Sequence, residues 1–558
     1  MTTDVIEAAK PPRGLDPEDR QMVVDTIRQL RKRLLTKEKI LEFDKKEIFP
    51  EAEIRQMLGP EIGLQLLFLP EAFGGMGGGA RDTCAVTREL GRICLGVGTA
   101  FFAIQLGADP IFVGATRQQK EKWLGAIASG DTLVAYAVTE PGAGSNLAAL
   151  KTKADPVTDA DGKVVGYTLN GTKQFISTGG YADFVTVLAK TPEGPSFFIV
   201  ERGTPGFVQG KGEEKHGIRA SNTSPLSFTD VYVPVENLIG EVPGQGLKQA
   251  NRVFGYTRLM VAAMALGAGE AAMEIAIRYA AERIQFGGPL SEKQGYTHKL
   301  IVPSVVRLAA AEAYMDEVAL RLDSGDEDLQ VEGSISKLFT TEAANTAAEH
   351  AMQALGGYGY ICEFEVEKIK RDVRITSIYE GTSEIQQSII STFRWKTSRK
   401  TRGGFYGDIA AEMARLADAG PEDPGCRTLA QAATVLNAAI DLVHENRLTK
   451  QQYLMFALAD MMTHVEIGAS MARRAVAYAR QADPQAAKYR HMARIFAAEV
   501  AERVAVNLNK IVVGSGVFST AEADAFLQAV SHQTLILSGS SVIADMDRVA
   551  DFIFERSS

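Results

Sequence analysis

Cysteine is scarce in this chain. Its 558 residues include four, Cys84, Cys94, Cys362 and Cys426, and none forms a CxxC pair or a spaced metal pattern. A disulfide framework and a zinc site are therefore disfavoured, and idle or buried thiols in a reducing compartment are expected. An apolar leader is missing too. The opening stretch MTTDVIEAAKPPRGLDPED has no h-region, so no secretory signal is expected. No uninterrupted apolar run reaches the ~18 residues of a membrane span. Nor is there an excess of positive charge: 60 Lys and Arg face 69 Asp and Glu, a formal net charge of −9. That balance argues against nucleic acid as the main partner, because binding to phosphates rests on clustered cations. It leaves a small anionic ligand open, since such a ligand needs only a local patch. The seven histidines are scattered, and no GxSxG, HExxH or P-loop pattern occurs. A cytoplasmic protein is the expectation.

What is present is ordinary globular composition, 46% hydrophobic and 23% charged, enough for three or four structural units. From Pro17 to about Gly130 the apolar residues recur three and four apart, a helical period. The run PEAFGGMGGGA (70–80) interrupts it. This run follows a helical segment and opens no βαβ unit, so a flexible turn is expected rather than a dinucleotide fingerprint. Near Leu133 the texture changes to short β-branched and aromatic runs separated by turn signals such as Asn170-Gly171. An antiparallel barrel or sandwich is expected there. From Gly246 long Ala-rich helical segments return, as a bundle requires. The expected fold class is α+β: an N-terminal helical domain (1–134), a middle antiparallel β domain (135–242) and a four-helix bundle (243–393). A basic linker (394–407) and a helical extension (408–558) follow. No internal repeat is evident.

Few stretches could carry chemistry. YAVTEPGAGSN (136–146) begins as a strand and breaks into glycines and Ser145, which could expose backbone N–H groups to a flat ring or a phosphate, or could be a plain strand exit. In GTKQFISTGG (171–180), Phe175 is either a stacking ring or core. Arg283 in ERIQFGGPL (282–290) either meets a pyrophosphate or is solvated. The glycine pair in MQALGGYGY (352–360) is a helix stop or a close approach to a ligand. IYEGTSEIQ (378–386) holds two glutamates four apart. Glu384 suits the first turn of a helix whose N-terminus is capped by the Gly-Thr-Ser stretch. Glu380 has no such explanation. Just before a helix it could point into a cavity, where desolvation would tune it as a base.

Taken in order, VTEPGAGSN, NGTKQFISTGG, ERIQFG, QALGGYGY and RDVRITSIYEGTSEIQ resemble the acyl-CoA dehydrogenases over about residues 20–395. HGIRASNT (216–223) and the helical extension resemble the very-long-chain branch. The resemblance implies FAD in a cleft between the three domains, contacted by a neighbouring subunit. It implies Glu380 as the catalytic base that removes the α-proton of an acyl-CoA thioester while the β-hydride passes to flavin N5, leaving a trans-2-enoyl-CoA. The thioester carbonyl would be polarised by the Glu380 backbone N–H and an FAD hydroxyl, an oxyanion-type arrangement. Electron-transferring flavoprotein is the implied oxidant. Carried over position by position, Tyr136, Val138, Thr139, Gly144 and Ser145 would line the flavin, and Phe175, Ile176 and Ser177 would cover it. From the partner subunit, Arg283, Gln285, Phe286, Gln294, Gln353, Gly356 and Gly357 would hold the adenylate half. Thr382 and Glu384 would also meet FAD. Ser145, Phe102, Thr257, Arg258, Tyr379 and Gly381 would lie on the substrate side.

The sequence departs from the family pattern in places. Phe175 stands where Trp is usual, and Asn146 replaces a common Asp. Some branches place the base beside Arg258, but Thr257 cannot serve there, which leaves the role to Glu380. Phe101 and Phe102 suggest an apolar acyl group. The extension, with 13 Lys/Arg and 15 Asp/Glu over residues 421–558, is balanced in charge. By resemblance it packs over the dehydrogenase core in place of a second dimer. A homodimer is therefore expected, with a tetramer as the alternative. The basic run 394–402 reads either as a peripheral membrane contact or as a solvated linker. Two other functions stay open: an enoyl-CoA reductase running the same half-reaction backwards, and a flavin-bearing nucleic-acid-binding relative of the alkylation-response type. The charge count disfavours the latter.

Overall fold

A computed structural model describes residues 14–326, 329–418 and 422–556, without the side chains of 254 and 255. It divides into two compact units. One comprises Met1–Ala268, Ala319–Gln330 and Arg371–Thr376; the other comprises Gly269–Val318, Val331–Lys370 and Ser377–Ser558.

The first unit opens with helices whose starts are written in the sequence. Pro17 begins helix Pro17–Arg33, and the Asp16 carboxylate accepts the Glu18 and Asp19 N–H groups at 3.0 Å. This is an ordinary N-cap with proline in the first turn. Helices Ala80–Ile93, Leu95–Gly114 and Arg117–Ala128 bury Leu90, Val97, Phe101, Ile104, Trp123 and Leu124 in one core. The glycine run before them is packed rather than loose. A Cβ on Gly75 would lie 2.0 Å from the Leu69 carbonyl oxygen, and one on Gly78 2.5 Å from that of Leu67. These glycines are needed because backbone touches backbone there. The expectation of no membrane-length apolar segment also meets a qualification. Leu95–Gly114 and Gly246–Glu282 are long and apolar enough overall to cross a membrane, yet 83% and 72% of their most apolar stretches are buried within the protein, as core helices would be.

The sheet has seven strands: β1 (Val134–Ala137), β2 (Lys153–Thr158), β3 (Val164–Ser177), β4 (Phe184–Thr191), β5 (Gly194–Glu201), β6 (Phe207–Gln209) and β7 (Thr223–Pro234). Their order is β1-β4-β2-β3-β7-β6, with β5 on β4. Most pairings are antiparallel, but β1 and β2 run parallel to β4. The β3–β7 ladder slips twice, between Leu169 and Gly171 and between Lys173 and Ile176. The second slip is a bulge that re-aims the side chains near Phe175.

The second unit takes residues from 269 onward of the long helix Gly246–Glu282, helix Val302–Asp323 as far as Val318, helix Gln330–Leu355 from Val331, and helix Ser383–Lys400. Small residues allow close approach: a Cβ on Gly269 would lie 3.1 Å from Ala344 Cα. The extension adds Gly404–Ala417, Cys426–Glu445, Gln452–Arg480 and Ala486–Val512, then three shorter helices.

The basic run 394–402 is not a linker. Helix Ser383–Lys400 continues through most of it, and Arg394 is 6% exposed. Its guanidinium meets Glu466 with two contacts of 2.8 Å and Glu332 at 3.1 Å. The Tyr406 and Tyr314 hydroxyls also donate to Glu466, at 3.0 and 3.3 Å, and the guanidinium carbon lies 4.6 Å from the centre of the Phe405 ring. Arg399 pairs with Asp441. Arg394 is thus spent inside the protein, while Lys396, Arg399, Lys400 and Arg402 stay exposed. The sequence misled because the anionic partner Glu466 lies 72 residues downstream of Arg394. Replacing Arg394 by Met would leave two carboxylates without their shared cation. The expected loss of stability is about 3–5 kcal/mol, read from denaturant unfolding of the variant against the parent.

Candidate functional site

Helix Ser383–Lys400 begins at Thr382, whose hydroxyl accepts the Ile385 N–H at 3.4 Å. Glu384 lies exposed in the first turn, where an acidic residue suits the positive end of a helix. The chain enters this helix through two successive left-handed residues, Glu380 (φ 54°) and Gly381 (φ 89°). Glycine takes that conformation freely. For glutamate it costs roughly 1–2 kcal/mol, and such strain persists only where the surroundings over-determine it. Here Gln386 Nε2 donates to the carbonyls of both Glu380 and Gly381, at 3.0 and 2.8 Å, and Lys337 Nζ donates to the Gly381 carbonyl at 2.8 Å. Gln386 and Lys337 are fully buried, while Tyr379, Glu380 and Gly381 are half-buried. The sequence reading missed both supports. The available signal was a lone lysine in the otherwise cation-free stretch SISKLFTTEAANTAA.

At the sheet, the end of β1 and the end of β3 come together. The Thr139 carbonyl accepts the Gln174 N–H at 2.9 Å. Tyr136 is half-buried, with its ring 5.7 Å from that of Phe197. Beyond Thr139, Glu140 and Ala143 exchange backbone hydrogen bonds, and Gly142, Gly144 and Ser145 are exposed. Phe175 is left-handed (φ 60°) and 64% exposed, an unusual state for a large apolar ring. Ser177 is half-buried. Val138 and Ile176 are 4% and 2% exposed and pack in apolar cores, so their side chains face inward and only their backbone can meet a cofactor. Phe102, Thr257 and Arg258 are buried as well, and the Arg258 guanidinium donates to the Gln330 carbonyl at 3.5 Å. Beneath the strand ends lies a pair that the sequence reading also passed over, Lys173 with Glu140, 2.9 Å apart. Burial pushes the Lys173 ammonium down to about 8, against the pull of Glu140.

In the second unit, Arg283 and Gln285 stand on a two-residue hairpin, Ile284–Gln285 against Gly288–Pro289. Its turn is Phe286 (φ 50°) and Gly287 (φ 79°), both left-handed as such turns require. Phe286 is 94% exposed. Gln353, Gly356 and Gly357 are also exposed. Tyr279, near the helix end that feeds the hairpin, lies 6.3 Å from Tyr358, and the Tyr296 hydroxyl donates to the Ala354 carbonyl at 3.0 Å. Gln294 departs from the rest. Its amide donates to Asp547 of the extension at 2.9 Å and is thereby committed within the chain.

Gly142, Gly295 and Gly357 share a further property. None has a positive φ, and nothing lies within 4 Å of where a Cβ would sit. Neither backbone conformation nor internal packing requires them. An open glycine edge lets a ligand approach the backbone closely, and an exposed ring such as Phe175 or Phe286 offers a stacking face.

The acyl-CoA dehydrogenase N-terminal domain model matches residues 17–131, the middle domain model matches 135–231, and the C-terminal domain model matches 244–393 and 425–551. The last model covers the bundle and also most of the extension. An acyl-CoA dehydrogenase from Bacillus subtilis is 38% identical over 376 residues, 64% of this chain and 97% of its own. An acryloyl-CoA reductase (NADH) from Anaerotignum propionicum is 38% identical over 355 residues, 63% of this chain and 88% of its own. The crystal structure of an acyl-CoA dehydrogenase complexed with FAD from Bacillus anthracis superposes with a TM-score of 0.85. It covers 98% of this chain and 97% of its own at 24% identity, and so speaks for the fold.

The α+β architecture and the family-model matches make this an FAD-dependent oxidoreductase. Within that class the chain belongs to the acyl-CoA dehydrogenase family. Phe286 makes no intramolecular packing worth keeping, so Phe286→Ala is expected to leave the melting temperature within a few degrees of the parent. Flavin retention on gel filtration should nevertheless fall, because the exposed ring is a candidate contact for the cofactor.

Proposed function

We propose that the protein dehydrogenates an apolar acyl-CoA thioester to the trans-2-enoyl-CoA and passes the electrons to an electron-transferring flavoprotein. The observation that carries this reading is the strained, half-buried turn at Glu380, pinned through its carbonyls by Gln386 and Lys337. A carboxylate carried on a backbone fixed in this way suits a base that must reach a single α-proton. In this reading Glu380 takes that proton, and its backbone N–H helps to polarise the thioester carbonyl, which alone makes the α-carbon acidic enough. FAD, when bound, would supply the acceptor for the hydride leaving the β-carbon. Tyr136, Thr139, Gly144, Ser145, Phe175 and Ser177 would hold the flavin, with backbone contributions from Val138 and Ile176. Arg283, Gln285, Phe286, Gln353, Gly356 and Gly357 of a second copy would hold the adenylate half, which makes a homodimer the working unit. Phe101 and Phe102, both buried and apolar, favour an uncharged acyl chain.

The relative named as an acryloyl-CoA reductase supports a second direction for the same site, since the carboxyl of Glu380 would return the proton to an enoyl-CoA.

Anaerobic titration with saturated acyl-CoAs of graded length should bleach the flavin near 450 nm with at least one of them; bleaching by none would sink the dehydrogenase reading. Glu380→Gln should slow flavin reduction by at least ~10²-fold while acyl-CoA still binds. Reduction at the parent's rate would remove Glu380 from the role.

A further inference from the structure

One buried ion pair lies under both of the strand ends that carry exposed candidate residues. Lys173, with no solvent exposure, donates from Nζ to the Val138 carbonyl at 3.0 Å and to Glu140 Oε1 at 2.9 Å. Glu140, 6% exposed, also accepts the Lys151 and Thr152 N–H groups at 2.7 and 3.0 Å. The pair thus ties together the end of β1, the approach to β2 and the interior of β3. Lys173 stands two residues before the left-handed Phe175, inside the interval where the β3–β7 register slips. Glu140 stands between Thr139 and the exposed glycines Gly142 and Gly144. Gly171 gives the room for this convergence, since a Cβ there would lie 2.5 Å from Thr152 Oγ1.

Stability does not explain the pair. Bringing two charges out of water costs about what their attraction returns, and an apolar pair of similar volume often serves as well. Direction does explain it: an ammonium has a fixed number of donors, and here they select one carbonyl and one carboxylate.

We propose that Lys173 and Glu140 are positioning residues for the flavin, setting the Val138–Ser145 stretch and the Phe175–Ser177 stretch at the separation that the cofactor requires. This rests on the reading that FAD lies against those two stretches.

The test uses full-length apoprotein, its melting temperature, and its FAD Kd from quenching of flavin fluorescence. Each single variant, Lys173→Met or Glu140→Gln, leaves a buried charge without its partner and should lower both stability and affinity. The double variant removes both charges. Its melting temperature should return to within a few degrees of the parent, while its FAD Kd stays raised by at least about tenfold. A double variant that regains the parent's Kd along with its stability would overturn the proposal, because affinity would then only follow folding. Should the double variant not fold, near-isosteric Glu140→Gln decides. A Kd raised at least about threefold, with an altered bound-flavin spectrum, supports positioning; a parental Kd and spectrum overturn it. A parent apoprotein that takes up no FAD overturns the cofactor assignment and the proposal with it.

Discussion

A residue with a side chain does not hold a left-handed backbone without help. The cost is roughly 1–2 kcal/mol for each such residue, and it falls on a molecule whose total stability is small. Glu380, Phe175 and Phe286 all bear it. Each is held differently: Glu380 by side-chain donors aimed at successive carbonyls, Phe175 by a bulge in a ladder of strands, Phe286 by the geometry of a two-residue hairpin turn. Much of the polar architecture described above can be understood as the support these three positions demand.

That view separates what the sequence made legible from what it hid. Signals that act over a few residues were readable. Asp16 before Pro17, Thr382 before Ser383 and Glu384 in a first turn follow from helix-end chemistry, and the structure shows each in place. The change from a period near four to short β-branched runs placed the sheet. Five motifs in family order pointed to the dehydrogenases, and the family comparison agrees. Glu380 itself was singled out only because helix-end physics failed to account for it.

What was hidden depends on partners far apart in the chain. Arg394 sits in a run that looks like a solvated linker until Glu466 and Glu332 are brought to it. Lys173 looks like a strand residue facing water until Glu140 appears beneath it. The glycines of the 70–80 run look flexible, whereas backbone carbonyls crowd them. Val138 and Ile176 could not be turned inward or outward from the motif alone, because a bulge and a strand exit reset the alternation there. The parallel placement of β1 beside β4 also escapes any local reading, since nothing between those strands marks it.

The Arg394 cluster has a bearing on how such a chain can change. In a shorter chain ending near Lys400, Arg394 and Glu332 would face water, where an ion pair is worth ~0–1 kcal/mol and either residue could drift. Once Glu466 and Tyr406 join Tyr314 around the guanidinium, the same two positions tolerate little. Substitutions that are neutral before the extension is acquired become forbidden after it, so the order of events decides which sequences are reachable. The extension is in this sense a ratchet: each group it adds around Arg394 narrows the routes by which it could be lost.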